Sequence, residues 1–364
     1  MTKRIEYIDA MRGFTIILVV YSHILIFGFG IYNSEYTSSF NSLLILFRMP
    51  LFFFISGFIF YKDNLFQNTQ EITSFLKRKF AIQIIPTFIF MVLFAYLMGK
   101  DLLEGFTLDS YKLGYWFTFA LFEYFLFYIL LFCIDKFLHK KLLTSSTGLL
   151  LTGMTIRLLC SYSFLHLIGI EDYIVNLLSI NQMKYFIFFS FGIVIKRNFK
   201  DFERIIDKSI ALTIIIPIFF ILSFIFIKNN RFSNIWIEHF FLIILGILGI
   251  VMIFSFFRNY SKYLQRDSSL GKSLQYIGRR TLDIYLIHYF FIPQNLAGES
   301  IKSFITKNPT IEFILSISLA ILVIILCLII SWVIRTSPYL AHLLFGAKYN
   351  QVESHQLSNN NKPN

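Results

Sequence analysis

Arg12 and His23 are the pair in this chain whose types and spacing point most directly to chemistry. They close the stretches Asp9-Ala10-Met11-Arg12-Gly13 and Tyr21-Ser22-His23, with an apolar run between them. On an α-helix an offset of eleven residues leaves two side chains only ~20° apart around the axis and ~16 Å apart along it. One face then presents a cation at a membrane edge and a titratable imidazole near mid-membrane. Imidazole ionises near working pH and can take a proton from a hydroxyl. Plainer readings stand beside this one: Arg12 as an anchor reaching lipid headgroups, and His23 as a hydrogen-bonded group in a helix interface. Ionisable groups buried in a bilayer are costly and usually functional, which favours chemistry at His23.

Other polar residues interrupt apolar stretches. Arg48 precedes Pro50 in Phe47-Arg48-Met49-Pro50-Leu51-Phe52-Phe53-Phe54-Ile55-Ser56-Gly57, where the missing backbone donor loosens a helix and makes a cavity plausible. The alternative is that Arg48 snorkels outward. Glu123 falls at mid-depth of another run and is expected to be neutral or paired with a residue such as Arg48 or Arg157. Trp116 is either an interfacial belt residue or a platform for a ligand. Lys77-Arg78-Lys79 reads as a cytoplasmic helix entrance that could hold phosphates or anionic lipid. Tyr285 and His288, three residues apart, share a helix face that either packs or lines the cavity of His23.

The elements that must position these groups are membrane helices. Of 364 residues, 56% are hydrophobic and only 15% charged, the composition of an all-α polytopic bundle. Runs of about 20 apolar residues mark ten expected spans, at 13–31, 42–61, 80–99, 114–134, 145–164, 182–196, 209–227, 235–257, 279–296 and 311–334. The net charge of +12 would suggest nucleic acid in a soluble protein, but the basic residues lie between apolar segments. With the N-terminus inside, 24 of the 33 Lys and Arg fall in cytoplasmic segments and 6 in outer loops, while Arg48, Arg157 and Lys184 lie within spans. That split predicts N-in, C-in topology and no nucleic-acid partner. The first run is expected to stay as the first helix rather than to be cleaved. Cys133, Cys160 and Cys327 show no metal-ligand spacing, so neither a disulfide nor a metal is expected. The domain expectation is a transmembrane unit over 1–349 and a polar, disordered tail over 350–364.

Taken together, these stretches resemble the membrane-bound acyltransferase family 3, integral-membrane O-acyltransferases that modify carbohydrates. The resemblance rests on Asp9 to Gly13 with Ser22-His23, on Met49 to Gly57, on Arg78 with Pro86, on Tyr115-Trp116-Phe117 with Leu121, and on Ile277 to His288. The last block looks most like the fucose O-acetylase branch. Two positions depart from the pattern: relatives often carry His where this chain has Arg48, and commonly a basic residue where it has Gln83.

The resemblance implies a bacterial inner-membrane enzyme. It would move an acyl group, most simply acetyl, from cytosolic acetyl-CoA to a hydroxyl of a saccharide, lipid-linked or polymeric. Arg12, Lys77 and Arg78 would hold the donor phosphates, and the ~16 Å from Arg12 to His23 is comparable to the reach of an extended pantetheine arm. His23 would be the general base, with a transient acyl-histidine as the competing version. Arg48, Trp116 and Glu123 would face the acceptor, and Tyr285 or His288 would donate to the oxyanion. A saccharide or lipid transporter or flippase would need similar buried groups and is the alternative; a non-catalytic membrane partner protein would tolerate loss of His23. The sequence leaves the oligomeric state open.

Overall fold

The computed structural model describes residues 5–31, 38–63, 66–160, 165, 169–207, 209–228, 234–264, 268–294 and 296–347. The tail expected at 350–364 lies outside them. Every regular element described is helical. The principal helices are α1 (Glu6–His23), α2 (Ser39–Phe60), α3 (Thr69–Lys79), α4 (Ile85–Leu97), α5 (Trp116–Phe137), α6 (Ser146–Leu159), α7 (Phe186–Arg197), α8 (Ser209–Lys228), α9 (Ile235–Asn259), α10 (Ser269–Arg279), α11 (Thr281–Ile287), α12 (Pro309–Arg335) and α13 (Pro338–Phe345).

Six stretches among the described residues are long and apolar enough to cross a membrane: Glu6–Gly28, Ser39–Phe60, Thr69–Leu97, Trp116–Phe137, Ile235–Asn259 and Pro309–Arg335. Two further apolar helices, Ser146–Leu159 and Leu212–Lys228, are shorter. The remaining two expected spans are broken. The segment at 182–196 begins as a 3-10 turn over Ile180–Tyr185 and becomes α-helical only at Phe186. The segment at 279–296 is reduced to α11, which starts after a break at Arg280 and runs into a 3-10 turn at His288–Phe290.

The basic triplet is not a helix entrance. The helix carrying it starts at Thr69, where the Asn68 side chain caps it by accepting the Glu71 N–H. Lys77, Arg78 and Lys79 are its last turn before a π-helical turn over Phe80–Ile84.

Small residues set how closely the helices approach. A Cβ added at Gly13 would lie 2.1 Å from the Leu274 carbonyl oxygen, and one at Gly278 would lie 1.9 Å from that of Asp9. Glycine at both positions lets α1 and α10 cross backbone to backbone, which brings the chain leading into α11 against the helix of His23.

Candidate active site

His23 ends α1, and the helix then widens into a π-helical turn over Ile24–Gly28. Single π turns recur at functional sites because they re-aim the side chains on either side. Across from it stands His288, fully buried at the end of α11. His23 Nδ1 lies 2.9 Å from His288 Nε2, and the two rings are nearly parallel at 11°.

The partners of His288 fix the protons. Its Nδ1 lies 2.8 Å from the Tyr285 carbonyl oxygen and 3.1 Å from that of Ile284. Carbonyls only accept, so Nδ1 carries the hydrogen, and in neutral imidazole Nε2 is then a lone pair. That lone pair accepts from His23 Nδ1–H. The lone pair of His23 is thereby placed on Nε2, which has no hydrogen-bond partner among the described residues, on a half-buried side chain. Tyr289 stacks on the His23 ring at 5.1 Å and Phe27 packs beside it at 5.7 Å, which holds its orientation.

The support for α11 is polar. Tyr285 and Tyr289 both donate to the Gly114 carbonyl oxygen at 3.1 Å. The Phe117 N–H donates to the Tyr285 oxygen at 3.2 Å, and Tyr115 donates to the Leu286 carbonyl oxygen at 3.1 Å. Below them the buried Asp283 receives both Nε and Nη2 of Arg335 at 2.9 Å and the Ser331 hydroxyl at 2.5 Å. Such two-pronged charged contacts are strong and directional. The Tyr115-Trp116-Phe117 and Ile277 to His288 stretches are therefore two halves of one joint.

This geometry corrects two expectations. Tyr285 cannot be a ready oxyanion donor, because its one O–H is held by Gly114. His288 cannot either, because its one N–H is held by backbone carbonyls while its other nitrogen accepts from His23. The donors of both are thus engaged within the protein.

Beside α1, at its Arg12 end, lies a cavity of about 450 Å³. Arg12, Arg78, Lys79 and Lys62 contribute its cations, Phe52, Ile55 and Phe125 its apolar wall, and Phe117, Thr118 and Tyr285 its inner part. Arg12 also lies 3.9 Å from the Asp9 carboxylate. Gln83 lines it too, donating to the Thr118 carbonyl oxygen at 2.7 Å. Lys77 is exposed and not part of this wall; two residues further along the helix, Lys79 turns inward and lies 4.7 Å from the centre of the Phe125 ring. A wider basic bowl of about 840 Å³ shares Lys62 with it and adds Arg197, Lys140 and Lys141.

The outer-side candidates are placed differently from one another. Arg48 is buried, with Nε and Nη1 lacking hydrogen-bond partners, and lies within electrostatic reach of His23, Tyr185 and Tyr289. Trp116 is 9% exposed and stacks on Tyr185 at 5.9 Å, so it is a packed wall and no belt residue. Glu123 is half-buried, its Oε2 without a hydrogen bond. It forms no ion pair with Arg48 or Arg157 among the described residues. The opposite charge near it is Lys112, whose ammonium is held by the carbonyls of Phe106, Asn176 and Leu177 at 3.0, 2.9 and 3.3 Å. Burial pushes the Lys112 pKa down, and Glu123 and Asp109 oppose that shift. Arg157 donates to the Lys184 carbonyl oxygen at 3.0 Å.

The sequence reading did not name Tyr289, Tyr185 or Lys62, and it named Lys79 only within the basic triplet and Gln83 only as a departure from the family pattern. Tyr289 directly follows His288, and Lys79 belongs to the basic triplet, so both had a local signal; Lys62 and Tyr185 had none.

Against known proteins, the family model described as the acyltransferase domain of acyltransferase family 3 matches residues 5–336. Neither curated proteins nor solved structures give a significant match.

Proposed function

The chain belongs to acyltransferase family 3 and is an integral membrane protein; from that premise we propose that it transfers an acetyl group from cytosolic acetyl-CoA to a saccharide hydroxyl. The observation that carries the reading is the tautomer relay at His23. An imidazole whose Nδ1–H is held by a buried second histidine presents a basic Nε2, the arrangement a general base needs.

In this reading the donor enters from the cytoplasmic face. Arg12, Arg78, Lys79 and Lys62 meet its phosphates, and the acyl arm follows the apolar wall toward Tyr285. Lys77 drops out of the donor set because it points away. The bowl beyond Lys62 suits the nucleotide end, since it offers cations beside Tyr61 and Tyr128. His23 Nε2 takes the proton of the acceptor hydroxyl as its oxygen attacks the thioester carbonyl. The C–S bond then breaks, and the departing thiolate takes that proton back from the imidazolium. Direct transfer is favoured over an acyl-histidine, because the same Nε2 that would carry the acyl group is the one placed to accept the proton. The enzyme is assigned to a bacterial cytoplasmic membrane with N-in, C-in topology on the charge split of its loops.

The test is acyl transfer by protein in nanodiscs, using radiolabelled acetyl-CoA and a sugar panel. Turnover by the wild type, abolished by His23→Ala at every donor concentration, supports the proposal. A wild type that binds no acetyl-CoA overturns it and leaves transport as the better account of the buried charges.

A further inference from the structure

Arg48 and Arg157 are 8% and 4% exposed in an apolar bundle. Nε and Nη1 of Arg48 and Nε of Arg157 are buried with no hydrogen-bond partner, and neither residue forms an ion pair among the described residues. Arginine does not shed its proton in a protein, so a buried guanidinium needs an anion to offset its desolvation.

Among the described residues no carboxylate of the bundle forms an ion pair with either arginine. Asp283 belongs to Arg335 and Ser331. Glu312 accepts from Tyr21 at 3.1 Å and from Ser38. Glu123 is set against Lys112. Glu238 contributes to the electrostatics of Arg157 without an ion pair between the two. Arg157 holds the carbonyl oxygen of Lys184, the residue before Tyr185, at 3.0 Å; Trp116 stacks on Tyr185, which feels the charge of both arginines. Arg48 also lies within electrostatic reach of His23.

We infer that the acceptor is anionic: a carboxylate or phosphate of the acceptor docks on Arg48, with Arg157 adding positive potential, and this presents the hydroxyl to His23. The group is a sugar carboxylate or the phosphate joining a sugar to a lipid; the two share the planar or forked acceptor chemistry that a guanidinium matches. The role of the hydroxyl rests on the acyltransferase reading. The anion site rests on the burial of the two arginines and the unpartnered Nε and Nη1 of Arg48 and Nε of Arg157, whose Nη1 donates to the Lys184 carbonyl oxygen, and stands without that reading.

The experiment uses the full chain in detergent and measures thermal stability and binding with matched probes. Glucuronate is compared with glucose, a polyprenyl monophosphate with the neutral polyprenol, and sodium chloride controls ionic strength. The expected result is that one anionic probe raises Tm while its neutral partner and salt do not, and which probe does so identifies the source of the anion. Arg48→Met is expected to weaken that binding at least tenfold while leaving the Tm shift given by acetyl-CoA intact. Without ligand, Arg48→Met is expected to melt no lower than wild type, because it removes a charge the protein does not pair. Should it fail to fold, Arg48→Lys keeps the charge but lacks the fork, and is expected to weaken binding as well. The inference falls if no anionic probe shifts the wild type, if neutral partners shift it equally, or if Arg48→Met/Arg157→Met keeps the full shift. Anion binding in a protein blind to acetyl-CoA would uphold this site and sink the acyltransferase reading instead.

Discussion

His23 donates its Nδ1–H to Nε2 of His288 across 2.9 Å, and His288 is itself locked by donating to the carbonyl of Tyr285 at 2.8 Å. The first histidine is on the chain's opening helix and the second is 265 residues later. The relay gives His23 one tautomer and one orientation. Two neutral imidazoles in series fix a tautomer and an orientation, as a carboxylate behind a histidine does in triad enzymes, without placing another charge in an apolar interior.

The first prediction separates the two histidines. His23→Ala is expected to lower kcat by about 10²- to 10⁴-fold, the usual contribution of a general base. His288→Ala removes only the acceptor that holds the base, so a smaller fall is expected, on the order of 10-fold, with KM for acetyl-CoA unchanged. His288→Gln, whose amide oxygen can accept the Nδ1–H, should recover part of it. Steady-state kinetics with acetyl-CoA as the varied substrate check this; a His288→Ala enzyme with wild-type kcat would remove the relay from the mechanism.

Tyr285 supplies a second test. If its hydroxyl stabilised an oxyanion, Tyr285→Phe would lower kcat by about 10²-fold or more. Here that hydroxyl is held by Gly114 and the Phe117 N–H, so a loss of about 1 kcal/mol in stability and less than about tenfold in kcat is expected. Thermal denaturation beside kinetics distinguishes the two outcomes.

The donor cavity makes a prediction about neighbours in sequence. Lys77 and Lys79 are two residues apart, yet only Lys79 lines the cavity. Lys79→Ala, Arg78→Ala and Arg12→Ala are expected to raise KM for acetyl-CoA several-fold with little change in kcat, whereas Lys77→Ala should behave as wild type. Equal effects at positions 77 and 79 would mean that the donor phosphates meet the outer surface of α3 and not the cavity.

Much of this was legible in the chain. Hydropathy located the helices because apolar length is the signal a membrane span requires, and Arg12 and His23 do lie on one helix, α1. The broken segments were not legible. Residues 279–296 read as an apolar run, but hydropathy is blind to the hydrogen bonds by which His288 Nδ1 and the Gly114 joint shape that segment into a seven-residue helix and a 3-10 turn. The roles of Tyr285 and His288 were misread for the same reason: a residue's type shows that it can donate, while only the fold shows that its donor is already engaged. Likewise, the depth of Glu123 said only that it is neutral or paired with a residue such as Arg48 or Arg157, whereas the loop that brings Lys112 close carries no periodic pattern.

The last prediction concerns Gly57, the final residue of the Met49 to Gly57 stretch. A Cβ there would fall 2.0 Å from the Phe189 carbonyl oxygen, and a Cβ at Gly192 would fall 2.1 Å from that of Phe54. The two glycines thus face each other's backbones across α2 and α7, and a contact with backbone cannot be relieved by turning a side chain. α2 carries Arg48, and α7 follows directly from Tyr185, so the glycine contact sets the spacing between the two sides of the proposed anion site. Gly57→Ala is expected to cost about 1–3 kcal/mol, as overpacking does, seen as a lower Tm in detergent. Its neighbour Ser56, whose hydroxyl only returns to the Phe52 carbonyl, should tolerate alanine. In the folded fraction of Gly57→Ala, anion binding should weaken, and KM for acetyl-CoA should rise as well, because α2 also carries Phe52 and Ile55 of the donor cavity. A Gly57→Ala protein that melts like wild type would show that α2 and α7 stand further apart than this packing requires.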